Sequence, residues 1–325
     1  MSHCVIHAGL PKTASTMLQD HLFAAHPDVE FLGTFHDKTK RPFGKCRDAD
    51  VQALLDELVF QRAKSPDLEL ASRLFDRAVA PSLATGKTPV WSWESLALSG
   101  LKLRRARAEN LRAVFGDCKV VLLLRNPYSL IESVYFQHLK RENVGGKYRR
   151  FRRPWFHTID SWLTDTWGGE GAPDSHLDYA ATAEMFVDVF GRENVAVYLF
   201  EDLVSDSEAF LERLCGFTGI DYGRAHELTK RARSNDRWTQ DHLNEVERIA
   251  GSPLGRIAFQ LASKQKRLEM IGLEGPVGTA DGQRARAPLS EDWRRRIEAR
   301  TAPGNQRLVQ DWSLPMADHG YPLGG

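Results

Sequence analysis

Residues 4–23, CVIHAGLPKTASTMLQDHLF, constrain the chain more than any other stretch. Cys4, Val5 and Ile6 make a short apolar run, the pattern of a buried parallel strand. Gly9 and Pro11 stop regular structure. From Ala14 the apolar residues Met17, Leu18, Leu22 and Phe23 recur at helical spacing. The unit therefore reads strand, tight loop, helix. Such a loop aims backbone N–H groups at one spot, with the positive end of the helix dipole behind them. Lys12 adds a full charge, and Thr13, Ser15 and Thr16 add hydroxyls. These are the parts that hold a phosphate. An ordinary strand-to-helix turn with a solvated lysine uses the same residues.

Strands and helices alternate through the rest of the chain. Residues 29–32 read as a second short strand, 34–48 as an exposed polar loop, and 51–84 as two helical patterns broken near Ser65-Pro66. Residues 89–94, PVWSWE, read as a strand ending in a carboxylate, and 101–115 as a basic amphipathic helix. Residues 119–125, KVVLLLR, are almost continuously apolar, as a central strand covered on both faces must be. Asn126-Pro127 ends that run, and a helix follows over about 128–141. Helices at 159–167 and 179–190, a strand at 194–200 and a helix at 203–219 come next. The alternation predicts an α/β fold, a three-layer parallel sheet with helical insertions. The expected organisation is a single domain over 1–325, with a helical insertion at about 37–87 and a mostly helical region at about 225–325. In such sheets ligands bind beyond the carboxyl ends of the strands, where Gly9–Thr16, Glu94 and Arg125 all fall.

Composition narrows the class. A formal net charge of +1 over 325 residues does not suit a general nucleic-acid binder, and 42% apolar content suits a globular protein. Cys4, Cys46, Cys118 and Cys215 show neither C-x-x-C nor zinc spacing, so buried thiols in a reducing compartment are expected. No apolar run is long enough to span a membrane, and no basic-then-apolar leader opens the chain. Cytoplasm is the expected location.

The loop is not a Walker A motif, because the lysine precedes the hydroxyl cluster and lies three residues after Gly9. The order Pro11-Lys12-Thr13-Ala14-Ser15-Thr16 resembles the 5′-phosphosulfate loop of sulfotransferases that use 3′-phosphoadenosine-5′-phosphosulfate (PAPS). A second motif lies in RNPYSLIESVYF, where Arg125 ends the strongest strand and Ser133 follows eight residues on. An arginine there can clamp a phosphate bidentately. It can equally pair with a nearby carboxylate. Arg125 with Ser133 resembles the pair that binds the cofactor's 3′-phosphate in the same family. NVAVYLFEDL with the following LCGFTGID resembles the family's late strand and helix. LSEDWRRRIEARTAPGNQRL resembles the end of bacterial members, and Arg233-Ser234-Asn235 resembles, loosely, a further cofactor-facing segment. Two positions depart from the family's pattern. Ala14 stands where glycine is usual, which is acceptable if the backbone there is already helical. Ser15 stands where threonine is common and keeps the hydroxyl.

The resemblance implies a P-loop-NTPase-like topology and sulfuryl transfer from PAPS to a hydroxyl acceptor, with no metal. Positioning and charge stabilisation dominate chemistry of this kind. Lys12 is the candidate for the charge on the bridging oxygen. The candidate base is Glu94, matching the glutamate that many carbohydrate-modifying members use. Glu94 also suits a helix start, where acidic residues are favourable. His7, on the loop itself, is the rival base, and also reads as a histidine packed beside the strand. His138 lies on the helix after Arg125. Residues 147–153, KYRRFRR, suit either a solvated loop or a clamp for an acidic acceptor. The acceptor expected is a carbohydrate, glycolipid or small metabolite. Two other functions use the same parts: an ATP-dependent kinase, for which no Walker lysine or magnesium carboxylate is evident, and a nucleotide-binding protein without catalysis.

Overall fold

The computed structural model describes residues 3–34, 48–60, 62–98, 100–140, 158–169, 172–230, 238–273 and 283–324. They fall into two compact units. The first comprises residues 1–126, 174–232 and 298–325, the second 127–173 and 233–297.

The first unit is built on a five-stranded parallel sheet flanked by helices. Strand β1 (Val5–Gly9) lies at its centre, between β3 (Thr88–Ser92) and β4 (Lys119–Leu124). The edges are β2 (Val29–Gly33), beside β3, and β5 (Val195–Leu199), beside β4. Both faces are covered, so β4 is apolar without alternation, and all its residues from Val120 to Leu124 are fully buried. Replacing one of these leucines by alanine would cost about 2–5 kcal/mol.

One face packs Val5, Val121, Leu123 and Tyr198 against Leu18, Leu22 and Phe23 of the segment after the loop. That segment starts as α1 (Ser15–Met17) and continues as a π-helical turn (Leu18–Phe23). Other helices of the chain are α2 (Ala49–Leu58), α3 (Leu68–Ala78), α4 (Ala80–Ala84), α5 (Leu101–Phe115), α6 (Pro127–Leu139), α7 (Ile159–Thr166) and α8 (Tyr179–Phe190). The opposite face of the sheet meets α8, which packs on α5, and α5 in turn meets α3.

The apolar periodicity over residues 203–219 predicts one helix; the chain forms two. α9 (Phe200–Ser205) stops at Asp206, whose φ of −145° leaves the helical region. The Asp206 carboxylate accepts from Ala209 N at 3.0 Å and so caps α10 (Ser207–Thr218). A strand over 89–94 is also too long. Pairing ends at Ser92, Trp93 N donates to His7 O at 3.0 Å, and Glu94 enters a turn.

In the second unit, Trp162 of α7 lies against Tyr135 and His138 of α6, and Phe136 stacks on Trp238. α12 (Gln240–Gly251), α13 (Pro253–Leu261) and α14 (Lys264–Met270) follow α11 (Tyr222–Thr229) of the first unit. The Glu132 carboxylate accepts from Ala287 N at 2.8 Å, which ties α6 to the chain entering α15 (Glu291–Trp312).

Candidate active site

The loop after β1 is shaped by hydrogen bonds to one carbonyl. Leu10 O accepts from Thr13 Oγ1 at 2.5 Å and from Ser15 Oγ at 3.3 Å, while Leu10 N donates to Leu123 O of β4 at 2.8 Å. Thr13 and Ser15 are thereby buried, and Lys12, Ala14 and Thr16 stay half-buried; Pro11 is buried. Sequence reasoning treats all three hydroxyls as equivalent, but two of them hold the loop's own shape.

The turn needs two left-handed residues, Lys12 at φ 69° and Ala14 at φ 61°, ψ 20°. The condition under which alanine replaces glycine freely, a helical backbone, is therefore not met. Ala14 is the N-cap of α1, and it carries no side-chain acceptor. The first-turn N–H donors of the helix thus receive no side-chain cap. Met17 N donates to Ala14 O at 2.9 Å, and an anion is one of the groups that the other donors can serve.

Two further segments meet this loop. Gly9, at φ 102°, lies so close to the chain after β3 that an added Cβ would sit 2.3 Å from Glu94 O and 2.8 Å from Glu94 Cα. Glycine is required there on both counts. The contact brings Glu94 to the start of the loop, and its side chain is half-buried. Arg125, buried at the end of β4, donates through Nη1 to Lys12 O at 2.8 Å, and its guanidinium lies over the Phe200 ring at 4.7 Å. A loop carbonyl is thus one partner of Arg125, beside the phosphate or carboxylate that the sequence offers.

His7 sits beneath the helix. Its ring is fully buried beside Phe23, and Nδ1 is 2.7 Å from Ser92 Oγ. Ser92 Oγ also accepts from Gln19 Nε2 at 2.9 Å. The Nδ1–Oγ hydrogen bond takes its direction from the histidine tautomer. Burial lowers its pKa to about 4, so the ring is neutral. Ser133 and His138, half-buried on α6, belong to the second unit. Arg233, Asn235 and residues 147–153 lie outside the described residues. Among the described residues no cluster of His, Cys, Asp or Glu has the makeup of a metal site, and no helix is long and apolar enough to cross a membrane.

Sequence reasoning missed the groups that brace Arg125. Tyr179 Oη donates to Arg125 O at 2.6 Å. Asn126 N donates to Glu201 Oε1 at 2.9 Å, and Tyr321 Oη donates to Glu201 Oε2 at 2.8 Å. Asn126 Nδ2 donates to the carbonyls of His319 and Gly320, and His319 Nε2 donates to Asp202 Oδ1 at 2.8 Å. Burial raises both phenols well above the usual tyrosine range, so they remain donors. The Glu201-Asp202 pair after a strand is the signal in the sequence; its partners Tyr321 and His319 stand more than a hundred residues away.

A family model described as "Sulfotransferase family" matches residues 5–224. Among solved structures, a sulfotransferase from Alicyclobacillus acidocaldarius is 16% identical, with 98% of each chain covered and a TM-score of 0.52. A sulfotransferase domain of a Synechococcus olefin synthase is 17% identical over 85% of this chain and 96% of that one, TM-score 0.39. A sulfotransferase from Mycobacterium tuberculosis is 12% identical over 84% and 77%, TM-score 0.40. No curated protein sequence matches significantly.

Proposed function

The chain belongs to the sulfotransferase family, and from that premise we propose that it moves a sulfuryl group from PAPS to a hydroxyl on a carbohydrate, glycolipid or small metabolite. One observation carries the reading: the loop after β1 is touched by the chain after β3, at Glu94, and by the chain after β4, at Arg125. Three strand ends of a parallel sheet thus contribute to one place, where ligands of such sheets bind.

The residues fit the donor. Lys12 and Arg125 bring two cations to a helix start without a side-chain cap. When bound, PAPS supplies the sulfuryl group and a phosphate leaving group. Lys12 stabilises the charge that develops on the bridging oxygen, and interactions realised only in the transition state raise turnover. Pro11, Thr13, Ala14, Ser15 and Thr16 shape the loop around the 5′-phosphate. Arg125 and Ser133 correspond to the family's 3′-phosphate pair, and Arg233 and Asn235 to its further cofactor-facing segment. Glu94 takes the proton of the acceptor hydroxyl as its oxygen attacks sulfur. His7, neutral and engaged through Nδ1, supports the loop from beneath and is the second candidate base. No metal is required, because the protein's own cations meet the charge. The reading treats residues 1–325 as one sulfotransferase domain and puts it in the cytoplasm, where Cys4, Cys118 and Cys215 stay thiols.

Calorimetric titration with 3′-phosphoadenosine-5′-phosphate tests the reading. The expected result is micromolar binding without magnesium and none of ATP. Tight magnesium-dependent ATP binding would replace it with a kinase. Binding without turnover on any hydroxyl acceptor would leave a nucleotide-binding protein.

A further inference from the structure

A helix packed on a soluble unit turns its apolar stripe inward. α13, PLGRIAFQL in the second unit, does the reverse. Leu254, Ile257 and Leu261 stand at i, i+3 and i+7, one side of the helix, and are 79%, 54% and 82% exposed. Ala258, between them, is exposed as well. The inward side is held by one large residue, Phe259, which is buried. The helix is nevertheless well made. Ser252 caps it by accepting from Gly255 N, Pro253 opens it, and the buried Arg267 donates to the carbonyls of Phe259 and Gln260 at its end. The outward stripe is therefore a feature of a formed helix.

The charge on the helix and on the segment that follows it has one sign. Residues 252–268 contain Arg256, Lys264, Lys266 and the buried Arg267 and no acidic residue. Arg256 and Lys264 are exposed, and Lys266 pairs with Glu269. On the neighbouring α12, Glu245 pairs with Arg248, and Asp241 and Glu247 are exposed. A second copy of the chain is a poor occupant, since a two-fold contact through this helix would oppose like cations. An anionic surface complements the set. At nine residues the helix is far too short to cross a bilayer but suits a place in its interface.

We propose that α13 is an interfacial helix that seats this unit on an anionic lipid surface. Leu254, Ile257 and Leu261 enter the boundary of the acyl chains, and Arg256 and Lys264 meet the headgroup phosphates. The proposal is independent of sulfuryl transfer, because its readout is binding.

The test is co-sedimentation of the full chain with vesicles of phosphatidylcholine alone and of phosphatidylcholine with phosphatidylglycerol. The expected result is binding to the anionic vesicles only, weakening as salt is added. Leu254→Ser and Leu261→Ser should each lower that affinity by about tenfold. Arg256→Gln and Lys264→Gln should each lower it about fivefold. All four positions are exposed, so the melting temperature should not move. Absence of binding, equal binding to both vesicles, or leucine variants that bind like the parent would overturn the proposal. So would a concentration-dependent dimer that the leucine variants dissociate, which would assign the stripe to a second copy.

Discussion

The Arg125 guanidinium donates to the Lys12 carbonyl at 2.8 Å, so the residue that ends β4 holds the loop that follows β1. A guanidinium presents its N–H donors in a planar fork, so one arginine can serve both a loop carbonyl and a phosphate. Arg125→Ala should weaken 3′-phosphoadenosine-5′-phosphate by about 2–5 kcal/mol if the contact is desolvated. Adenosine 5′-phosphosulfate, which lacks the 3′-phosphate, should lose far less. Calorimetry on both ligands separates the two roles, and an equal loss would leave Arg125 as a brace alone.

Ala14 holds a left-handed conformation that costs an L-residue about 1–2 kcal/mol. Ala14→Gly removes that cost but gives the unfolded chain more freedom, worth about 0.4–1 kcal/mol. The net expectation is a variant up to about 1.6 kcal/mol more stable in urea unfolding. Ala14→Val should be destabilised, because a β-branched residue tolerates positive φ least. A stable valine variant would show that the loop adopts another conformation in solution.

Glu94→Gln should leave folding and nucleotide affinity unchanged, since the contact with Gly9 is made by the Glu94 main chain. The chemical step should slow by roughly 10²–10⁴-fold, the range for loss of a general base. Single-turnover kinetics with saturating donor checks this. Normal turnover would remove Glu94 and move the search for the base to His7.

The buried His7 makes the fold acid-sensitive in a defined window. Its pKa is lowered to about 4 from 6.5, the value it regains on unfolding. Above 6.5 the ring is neutral in both states and costs nothing. As pH falls from there, the unfolded chain takes up a proton that the folded one refuses until about pH 4. Stability is therefore lost on acidification, by up to about 3 kcal/mol for this group. His176, also lowered to about 4 by burial, adds a loss of the same sign. Urea unfolding at neutral pH and at about pH 5 should show His7→Gln with a smaller drop than the parent. An unchanged drop would mean that the ring titrates normally in the folded state.

The sequence by itself determined the parts whose cause is local. The apolar runs of β1, β4 and β5 need cover on both faces, and that alone makes a parallel sheet with helices on either side. The strand–loop–helix unit, with Lys12 in its loop, follows from Gly9, Pro11 and the helical spacing after Ala14. Only the tertiary structure decided how the loop is wound and braced. Thr13 and Ser15 turn inward because Leu10 O accepts from both, and with that turn Lys12 and Ala14 adopt positive φ. No propensity of lysine or alanine announces it. Asp206 splits a continuous apolar period because its carboxylate finds the Ala209 N–H. Glu201 meets Tyr321, and Asn126 meets His319 and Gly320, across more than a hundred residues. Such pairs leave no period or spacing to read, since their partners are chosen by the folded sheet that brings the chain ends together.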